Sequence, residues 1–284
     1  MAQPREEIVP GKSVRLNELV RRLTAPNPGM MTGPGTNTYL VGTDRLALID
    51  PGPESAPHLS AMLEAAGKQL AWILCTHTHL DHSPGARALK ARTGARVLGF
   101  GAVPDDGRQD TAFRPDQTLR DGDTVDCGAF RLRAVHTPGH ASNHLCYLLE
   151  KEKLIFTGDH IMQGSTVVIS PPDGDMATYL RSLERLLALD LAAIAPGHGH
   201  VIEKPHDEVR RLIAHRMKRE QKVLDAFRHG NPATLDGLLP FAYDDVPQIV
   251  HPVARRSLHA HLIKLAHDGR VIEADGVWRM SSTS

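Results

Sequence analysis

The sequence predicts an α/β domain followed by a small helical domain that ends in a β-hairpin. Short apolar runs alternate with helical patterns over the first two thirds of the 284 residues, which is typical of sheets covered by helices. A long helical pattern then begins near residue 206, and Asp275-Gly276 joins two short β-type runs near the C-terminus. The predicted domains are residues 1–204 and 205–284, long enough for one large core and one small core.

Apolar runs in the first domain predict eight strands, separated by turn residues or helical patterns. The predicted strands are residues 38–42, 45–50, 71–75, 96–100, 131–135, 145–149, 154–158 and 192–196. Helices are predicted over 56–66, near 85–93 and near 176–188, the first with Ser55 as its N-cap and Gly67 as its stop. Polar residues and glycines gather at the ends of these strands, where α/β proteins usually place their chemistry.

The second domain begins with a long helix predicted over residues 206–228. Its predicted apolar stripe consists of Val209, Ile213, Met217, Leu224 and Phe227. Short helical pieces follow near 233–239, and a further helix has Pro252 in its first turn and Gly269 just past its end. With the hairpin over 271–280, this order of elements resembles a winged helix.

Composition excludes several functional classes. Lys and Arg number 33, as do Asp and Glu, so no global field attracts nucleic acid or an acidic membrane. The three cysteines are widely spaced, which indicates reduced thiols rather than a disulfide framework. The N-terminus has no apolar leader segment, and no stretch reaches the length of a membrane span. We therefore expect a cytoplasmic protein with no membrane partner.

The segment CTHTHLDHSPG, residues 75–85, places His77, His79, Asp81 and His82 directly after an apolar strand. At the end of a strand the chain turns into a loop, so these side chains can converge without sharing one face of a helix. Imidazole and carboxylate groups together suit zinc, and also iron or manganese. The pattern therefore predicts a metal site.

Three more candidate ligands follow later strands: His140 in TPGH, Asp159 in TGDH and His198 in PGHG. Each is a weak signal alone, since a histidine beside glycine in a loop is usually solvated. With the first segment they give five histidines and two carboxylates, which is enough for two metal ions and too many for one closed tetrahedral site.

In order and local context, these residues resemble the metal motifs of the metallo-β-lactamase superfamily, and Asp50 in LIDPG matches that family's first motif. The resemblance covers about residues 30–204 and implies an αββα metallo-β-lactamase sandwich with two metal ions, zinc before iron or manganese. It implies the following ligands: His77, His79 and His140 for the first metal, Asp81, His82 and His198 for the second, and Asp159 as a bridge.

Two close cations can share one water molecule and lower its pKa to about 7, so the expected activity is hydrolysis by a bridging hydroxide. Asp81 is the expected catalytic residue, which binds the second metal and orients the nucleophilic water. Asp50 is expected to accept a hydrogen bond from a ligating histidine, although it also fits a plain strand-ending aspartate before Pro51-Gly52.

Asn37 and His144 are candidates for substrate contact. Asn37 fits equally a capped turn, and Tyr179, a further candidate, fits core packing better. His136, His160 and His200 lie one step from the motif. We expect them to support the ligands or to be solvated.

Beyond the metal ligands, further segments carry a second resemblance: NPGMMTGPGTNTYLVG (27–42), TPGHASNH (137–144), HRMKREQ (215–221) and the C-terminal helix with its hairpin. They resemble the beta-lactamase-like protein 2 group, which joins the metal domain to a C-terminal winged helix and includes endoribonucleases that act on single-stranded RNA. The segment HRMKREQ, residues 215–221, does not resemble the glutathione-binding helices of glyoxalase II, and the long β-CASP insertion is missing. Small carboxylic esters, thioesters or lactones are expected slightly ahead of single-stranded RNA. An iron-dependent persulfide dioxygenase and a non-catalytic metal module remain as other classes.

A basic face on the long helix favours RNA, because Arg211, His215, Arg219 and Lys222 fall on one side of it. Residues 205–284 nevertheless hold 12 Lys and Arg against 10 Asp and Glu, which is less basic than a dedicated nucleic-acid domain. The hairpin over 271–280 fits a lid on the active site as well as it fits a wing that contacts RNA.

Overall fold

The computed structural model describes residues 7–282. The chain divides into two compact units. The first contains the described part of Met1–Thr137 with Asn143–Thr166 and Asp190–Pro205, and the second contains Pro138–Ser142, Val167–Leu189 and the described part of His206–Ser284. Residues 1–6, on which part of the expectation about a leader segment rests, lie outside the described residues.

A seven-stranded sheet forms one half of the first unit. Its strands follow one another in chain order: β1 (Val14–Arg15), β2 (Val20–Thr24), β3 (Asn37–Val41), β4 (Leu46–Ile49), β5 (Leu70–Leu74), β6 (Arg96–Gly99) and β7 (Gln117–Thr118). Pairing is antiparallel from β1 to β4 and parallel from β4 to β7. Parallel neighbours need crossover connections, and α1 (Ala56–Ala66) and α2 (Gly85–Thr93) supply two of them.

A five-stranded sheet forms the other half. It contains β8 (Thr124–Asp126), β9 (Arg131–His136), β10 (Leu145–Leu149), β11 (Leu154–Gly158) and β12 (Ala193–Pro196), in the spatial order β12-β11-β10-β9-β8. Only the β11–β12 pair is parallel among these strands. All eight predicted strands are confirmed, while β2 and the short strands β1, β7 and β8 were not predicted.

The main core lies between the two sheets. Tyr39 and Leu74 of the first sheet pack in one cluster with Leu132, Tyr147 and Phe156 of the second. A separate cluster joins the opposite face of the first sheet to α1 and α2. Alternating side chains of the first sheet therefore enter two different cores, and this explains why its strands read as continuous apolar runs.

The described part of the second unit contains four α-helices and a three-stranded sheet. The helices are α3 (Met176–Leu187), α4 (Pro205–Ala226, whose first residue belongs to the first unit), α5 (Leu235–Ala242) and α6 (His251–His267), and the strands are β13 (Ala233–Thr234), β14 (Val271–Ala274) and β15 (Val277–Met280). Val223 of α4 and Phe227, which directly follows that helix, pack with Leu258, Leu262 and Trp278 in one core. The predicted hairpin is confirmed, with Asp275-Gly276 at its turn.

The buried face of α4 differs from the predicted stripe. Met217 is 45% exposed, whereas Arg216 and Arg219 are only 3% and 7% exposed. The prediction was wrong here because it assumed that buried positions are apolar, and two guanidinium groups occupy part of the buried face instead. Among the described residues, no helix combines the length and the apolarity that crossing a bilayer requires.

Candidate metal centre

The motif loop begins where β5 ends at Leu74. His77 and His82 are buried, His79 and Asp81 are half-buried, and Leu80 between them is 57% exposed. Backbone hydrogen bonds from His82 N to His79 O and from Gly52 N to His82 O fix the turn. The loop therefore directs its candidate metal-binding side chains inward and leaves Leu80 in solvent.

His77 and His79 form a facing pair of imidazoles. His77 Nε2 lies 2.9 Å from His79 Nδ1, and the Nδ1 of His77 lies 3.0 Å from the hydroxyl of Thr76. Burial, together with the neighbouring imidazoles of His82 and His79, holds the pKa of His77 well below its usual value. His77 is therefore neutral, the form in which imidazole binds a metal.

A second cluster brings together Asp81, His82, Asp159 and His198, whose potential ligand atoms all lie within 4.8 Å of one another. His82 Nε2 is 3.5 Å from Asp81 Oδ2 and 3.3 Å from Asp159 Oδ1. His198 Nε2 is 3.4 Å and 3.1 Å from the same two oxygens. Two carboxylates and two imidazoles thus surround one point.

The four groups of this cluster shift each other's pKa values. Burial disfavours charge on all of them, but their mutual attraction is stronger. The carboxylates of Asp159 and Asp81 raise the pKa of His198 to about 10, and the two imidazoles lower the pKa of Asp81 to about 2. Protonated histidines therefore supply the positive charge that the carboxylates attract in the metal-free protein.

The donor set fits a metal ion. His82 Nε2 and His198 Nε2 are buried and make no hydrogen bond within the described part of the chain. Their other ring nitrogens are fixed, since His82 Nδ1 lies 2.9 Å from Asp50 Oδ2 and His198 Nδ1 lies 3.2 Å from Gly35 O. Ligating histidines are usually held in this way by an acceptor on the second nitrogen, and mixed nitrogen and oxygen ligands suit zinc, iron and manganese.

Asp50 connects the two groups of histidines. Its carboxylate accepts hydrogen bonds from Thr76 N at 2.7 Å and Thr76 Oγ1 at 2.8 Å, and it also contacts His82. Because Thr76 Oγ1 donates to Asp50, it acts as the acceptor for His77 Nδ1. Asp50 has a φ of 53°, a left-handed conformation that aspartate tolerates better than most residues. The sequence analysis missed Thr76, which directly precedes the motif.

Glycines on two strand ends permit the close approach of these groups. A Cβ atom on Gly197 would lie 2.8 Å from Asp159 Oδ1, and one on Gly158 would lie 2.4 Å from Thr76 Oγ1. Gly158 also has a φ of 45°, where a side chain adds strain. A side chain at either glycine, in TGDH or in PGHG, would therefore clash with residues of the candidate site.

Comparisons with known proteins agree with this geometry. Residues 31–198 match the model of the metallo-beta-lactamase superfamily, and residues 234–278 match that of the beta-lactamase associated winged helix domain. The chain belongs to the metallo-beta-lactamase superfamily. Its fold is the α/β fold of that superfamily with a C-terminal winged helix domain, as predicted, and the chain is a hydrolase.

Several related proteins align with most of this chain. The beta-lactamase-like protein 2 homolog of Drosophila melanogaster is 33% identical over 277 residues, which cover 90% of this chain and 91% of that protein. An atrochrysone carboxyl ACP thioesterase of Aspergillus fumigatus is 36% identical over 222 residues, covering 75% and 66% of the two chains. A metallo-beta-lactamase family protein of Thermus thermophilus has the same fold, with a TM-score of 0.77, 23% identity and coverage of 94% and 100%. The superfamily fold implies a binuclear metal site, for which the residues above are the candidate ligands.

The structure corrects the prediction that Asn37 and His144 contact substrate. Asn37 is fully buried, and its amide donates to Pro196 O at 3.0 Å and Gly199 O at 2.8 Å. It therefore ties β3 to the loop that carries His198. His144 is also fully buried, and its ring stacks on His77 with 5.0 Å between the ring centroids. Both side chains therefore contact candidate ligands or the loop that carries one, and they offer no surface to a substrate.

Thr36 is a further residue that the sequence analysis missed. It is fully buried, and its hydroxyl donates to Asp81 Oδ2 at 3.4 Å and accepts from Asn27 Nδ2 at 3.0 Å. Its place in GTNTY, one residue before Asn37, was the available signal. Among the neighbouring histidines, His160 is buried and His136 stacks on Phe100.

His140 belongs to the second unit, where a backbone carbonyl holds its ring. Its Nδ1 lies 2.8 Å from Val168 O and can donate to it, which makes Nε2 the candidate metal-binding nitrogen. The surrounding loop is anchored by Ser182 Oγ, which donates to Pro138 O at 2.7 Å, and by Asp175 N, which donates to Gly139 O at 2.8 Å.

The predicted basic face of α4 is largely neutralised. Arg211 pairs with Glu208 at 2.6 Å, and Arg219 pairs with Asp245 at 2.8 Å. Lys222 also pairs with Asp245, at 3.2 Å. Arg219 is buried besides, so it is poorly placed for a phosphate. These pairs weaken the case for RNA.

Proposed function

We propose that this protein is a two-zinc hydrolase of small carboxylic esters, thioesters or lactones, with thioesters foremost. The carrying observation is the cluster of Asp81, His82, Asp159 and His198, in which two buried imidazole nitrogens without hydrogen bonds in the described chain face two carboxylates. An A. fumigatus relative named as an acyl carrier protein thioesterase supports the thioester class.

The proposed ligands follow the family motif residue by residue. They are His77, His79 and His140 for the first metal, Asp81, His82 and His198 for the second, and Asp159 for both. When bound, a pair of zinc ions activates a water molecule as nucleophile at neutral pH and polarises the substrate carbonyl. The protein's own part is to hold these ligands in fixed orientation.

Asp81 is proposed as the catalytic residue that orients the attacking water. Its side chain is 29% exposed, against 12% for Asp159 and 5% for His198, so it is the most accessible group of the cluster. Thr36 donates to its Oδ2, which restrains the carboxylate. An accessible, restrained carboxylate can accept a hydrogen bond from water and direct its lone pair toward the carbonyl carbon.

Single-stranded RNA is the competing substrate. The ion pairs of Arg211, Arg219 and Lys222 disfavour it, because each of these cations already has a carboxylate within its own unit. A phosphate would have to replace those partners, so little net attraction remains.

The test is a panel of acyl thioesters, carboxylic esters, lactones and a single-stranded RNA oligonucleotide, assayed with zinc-loaded full-length protein. We expect about two zinc ions per chain and hydrolysis of the thioester, lost on chelation and restored by zinc. RNA cleavage without thioester hydrolysis would overturn the substrate class. One iron per chain, with oxygen consumed in the presence of a persulfide, would overturn the hydrolytic role.

A reducing compartment such as the cytoplasm is proposed for the protein. Cys75, Cys127 and Cys146 are buried and form no disulfide within the described residues, and thiols persist where glutathione and thioredoxin keep them reduced. Fractionation of the source cells would test this proposal.

A further inference from the structure

The ring of His140 is held by a backbone carbonyl, as the ring of His198 is by Gly35 O. His82 is held by the side chain of Asp50, and His77 by the side chain of Thr76. His140 instead relies on the carbonyl of Val168. Residues 166–170 belong to no strand or helix, so no sheet or helix hydrogen bond fixes that carbonyl.

Two residues of the C-terminal helices bracket Val168. Arg216 of α4 donates from Nη2 to Val167 O, and Ser257 of α6 accepts from Ile169 N at 3.3 Å. Val167 and Ile169 are both buried, at 3% and 0% exposure. The peptide that orients His140 is thus held on each side by a helix of the C-terminal region.

Arg216 has no carboxylate partner among the described residues, although it is 3% exposed. Burying a guanidinium group without an ion pair is costly. Its charge is met instead by Val167 O and by the ring of Tyr179, whose centroid lies 5.3 Å from the guanidinium carbon. Tyr179 in turn packs against Gly139, where a Cβ atom would come within 2.3 Å of the Tyr179 Cα. Arg216 is therefore connected to the segment around His140 in two ways, through Val167 and through Tyr179.

From these contacts we infer that Arg216 and Ser257 are positioning residues for His140, through which the C-terminal region sets the affinity of the first metal. This inference rests on the proposed function, in which His140 is a ligand of that metal. Groups that orient a ligand typically change metal affinity by about 10- to 100-fold. The winged helix would then have a role at the metal centre that requires no contact with nucleic acid.

The experiment measures zinc affinity in full-length metal-free protein, by competition with a chromophoric chelator, and the absorption spectrum of the Co²⁺ form. The variants are Arg216→Met and Ser257→Ala, with His140→Ala as the reference for loss of the first metal. Arg219→Met is the matched control, because Arg219 is a buried arginine of the same helix that donates to Ala242 O and Asp245 instead.

We expect Arg216→Met to weaken one zinc equivalent by about 10- to 100-fold, the same equivalent that His140→Ala weakens, and to alter the Co²⁺ spectrum of that site. Ser257→Ala should act in the same direction but less, and Arg216→Lys should restore part of the affinity. Arg219→Met should lower the melting temperature and leave both zinc affinities unchanged. If Arg216→Met does not fold, Ser257→Ala and Arg216→Lys decide the question.

The inference is overturned if Ser257→Ala and both Arg216 variants bind both zinc ions like the wild type. It is also overturned if Arg216→Met and Arg219→Met weaken both equivalents alike, because that pattern indicates general destabilisation. A different result overturns the proposed function and this inference with it: a wild type that binds fewer than two zinc ions, or a His140→Ala variant that keeps both affinities.

Discussion

The two units of the molecule arrange their buried charges differently. In the first unit, His82 and His198 face Asp81 and Asp159 at 3.1 to 3.5 Å, and their Nε2 atoms make no hydrogen bond in the described part of the chain. In the second unit, Arg219 has hydrogen bonds to Asp245 at 2.8 and 3.2 Å.

This difference distinguishes a candidate metal site from a structural ion pair. Well-made hydrogen bonds on both partners leave little for a ligand to gain, whereas an imidazole nitrogen without a hydrogen bond gains a partner when a cation enters. Both clusters shift pKa values, since the pKa of Asp245 falls to about 2 as does that of Asp81. A shifted pKa alone would therefore not have distinguished them.

The largest effect is expected from removing the proposed bridge. Asp159→Ala should lower kcat/KM by about 10³-fold or more, equivalent to about 4 kcal/mol of transition-state stabilisation, because it removes a ligand common to both metals. His200→Ala is the matched control and should keep most activity, since His200 is close in sequence to His198 but is not one of the candidate ligands. Steady-state kinetics and zinc content check both variants, and similar losses in the two would contradict the ligand assignment.

A smaller loss, of about 10²-fold, is expected in kcat for Asp81→Asn. The amide keeps the size of the side chain but removes the anionic acceptor that orients water. KM should change little, because this interaction matters most where charge develops. Thr36→Val, which removes the hydroxyl that restrains Asp81, should give a weaker effect of the same kind. A change confined to KM would argue against the catalytic role of Asp81.

Metal removal should make stability depend on pH. The pKa of His198 is raised from 6.5 to about 10 in the folded protein without metal, so its contribution to stability is complete below about 6.5 and is lost as the pH rises through about 10. Zinc-loaded protein should lack this loss, because its ligand histidines are already deprotonated. Melting temperatures of chelated and zinc-loaded protein should therefore diverge between about pH 7 and about pH 10, and parallel curves would contradict the charge assignment.

The smallest effect is expected at the ion pairs of α4. The double variant Arg211→Gln and Lys222→Gln should leave thioester hydrolysis unchanged, because both cations are paired within the second unit. If RNA binds there, losing two phosphate contacts should instead flatten the log–log salt slope by about 1.4 units for single strands. Binding of a labelled oligonucleotide across a salt series measures this slope, and a clear flattening would restore the RNA hypothesis. Arg219 is left intact because it is buried.

Much of the fold and most of the proposed ligand set could be predicted from the sequence, because the signals are local. Apolar runs fixed the positions of β3 to β6, and the spacing of His77, His79, Asp81 and His82 is specific enough to indicate metal chemistry alone. Short edge strands such as β1 gave no such signal, since two residues cannot show alternation.

The features that could not be predicted depend on long-range hydrogen bonds. Asn37 reads as a polar turn residue, yet its partners Pro196 and Gly199 are about 160 positions further along the chain. Arg216 reads as a solvated residue beside Met217, and its burial is explained by the carbonyl of Val167 and the ring of Tyr179. Periodicity cannot reveal such partners, so buried, hydrogen-bonded side chains were predicted to contact substrate or solvent.

The exposed Leu80 has a practical consequence for spectroscopy. It lies between His79 and Asp81 but is 57% exposed, and all three native cysteines are buried. Leu80→Cys would therefore place a readily labelled thiol one residue from two proposed ligands without altering either of them. A nitroxide attached there would sense a paramagnetic ion such as Mn²⁺ or Co²⁺ through dipolar relaxation, so occupancy could be followed in solution independently of turnover.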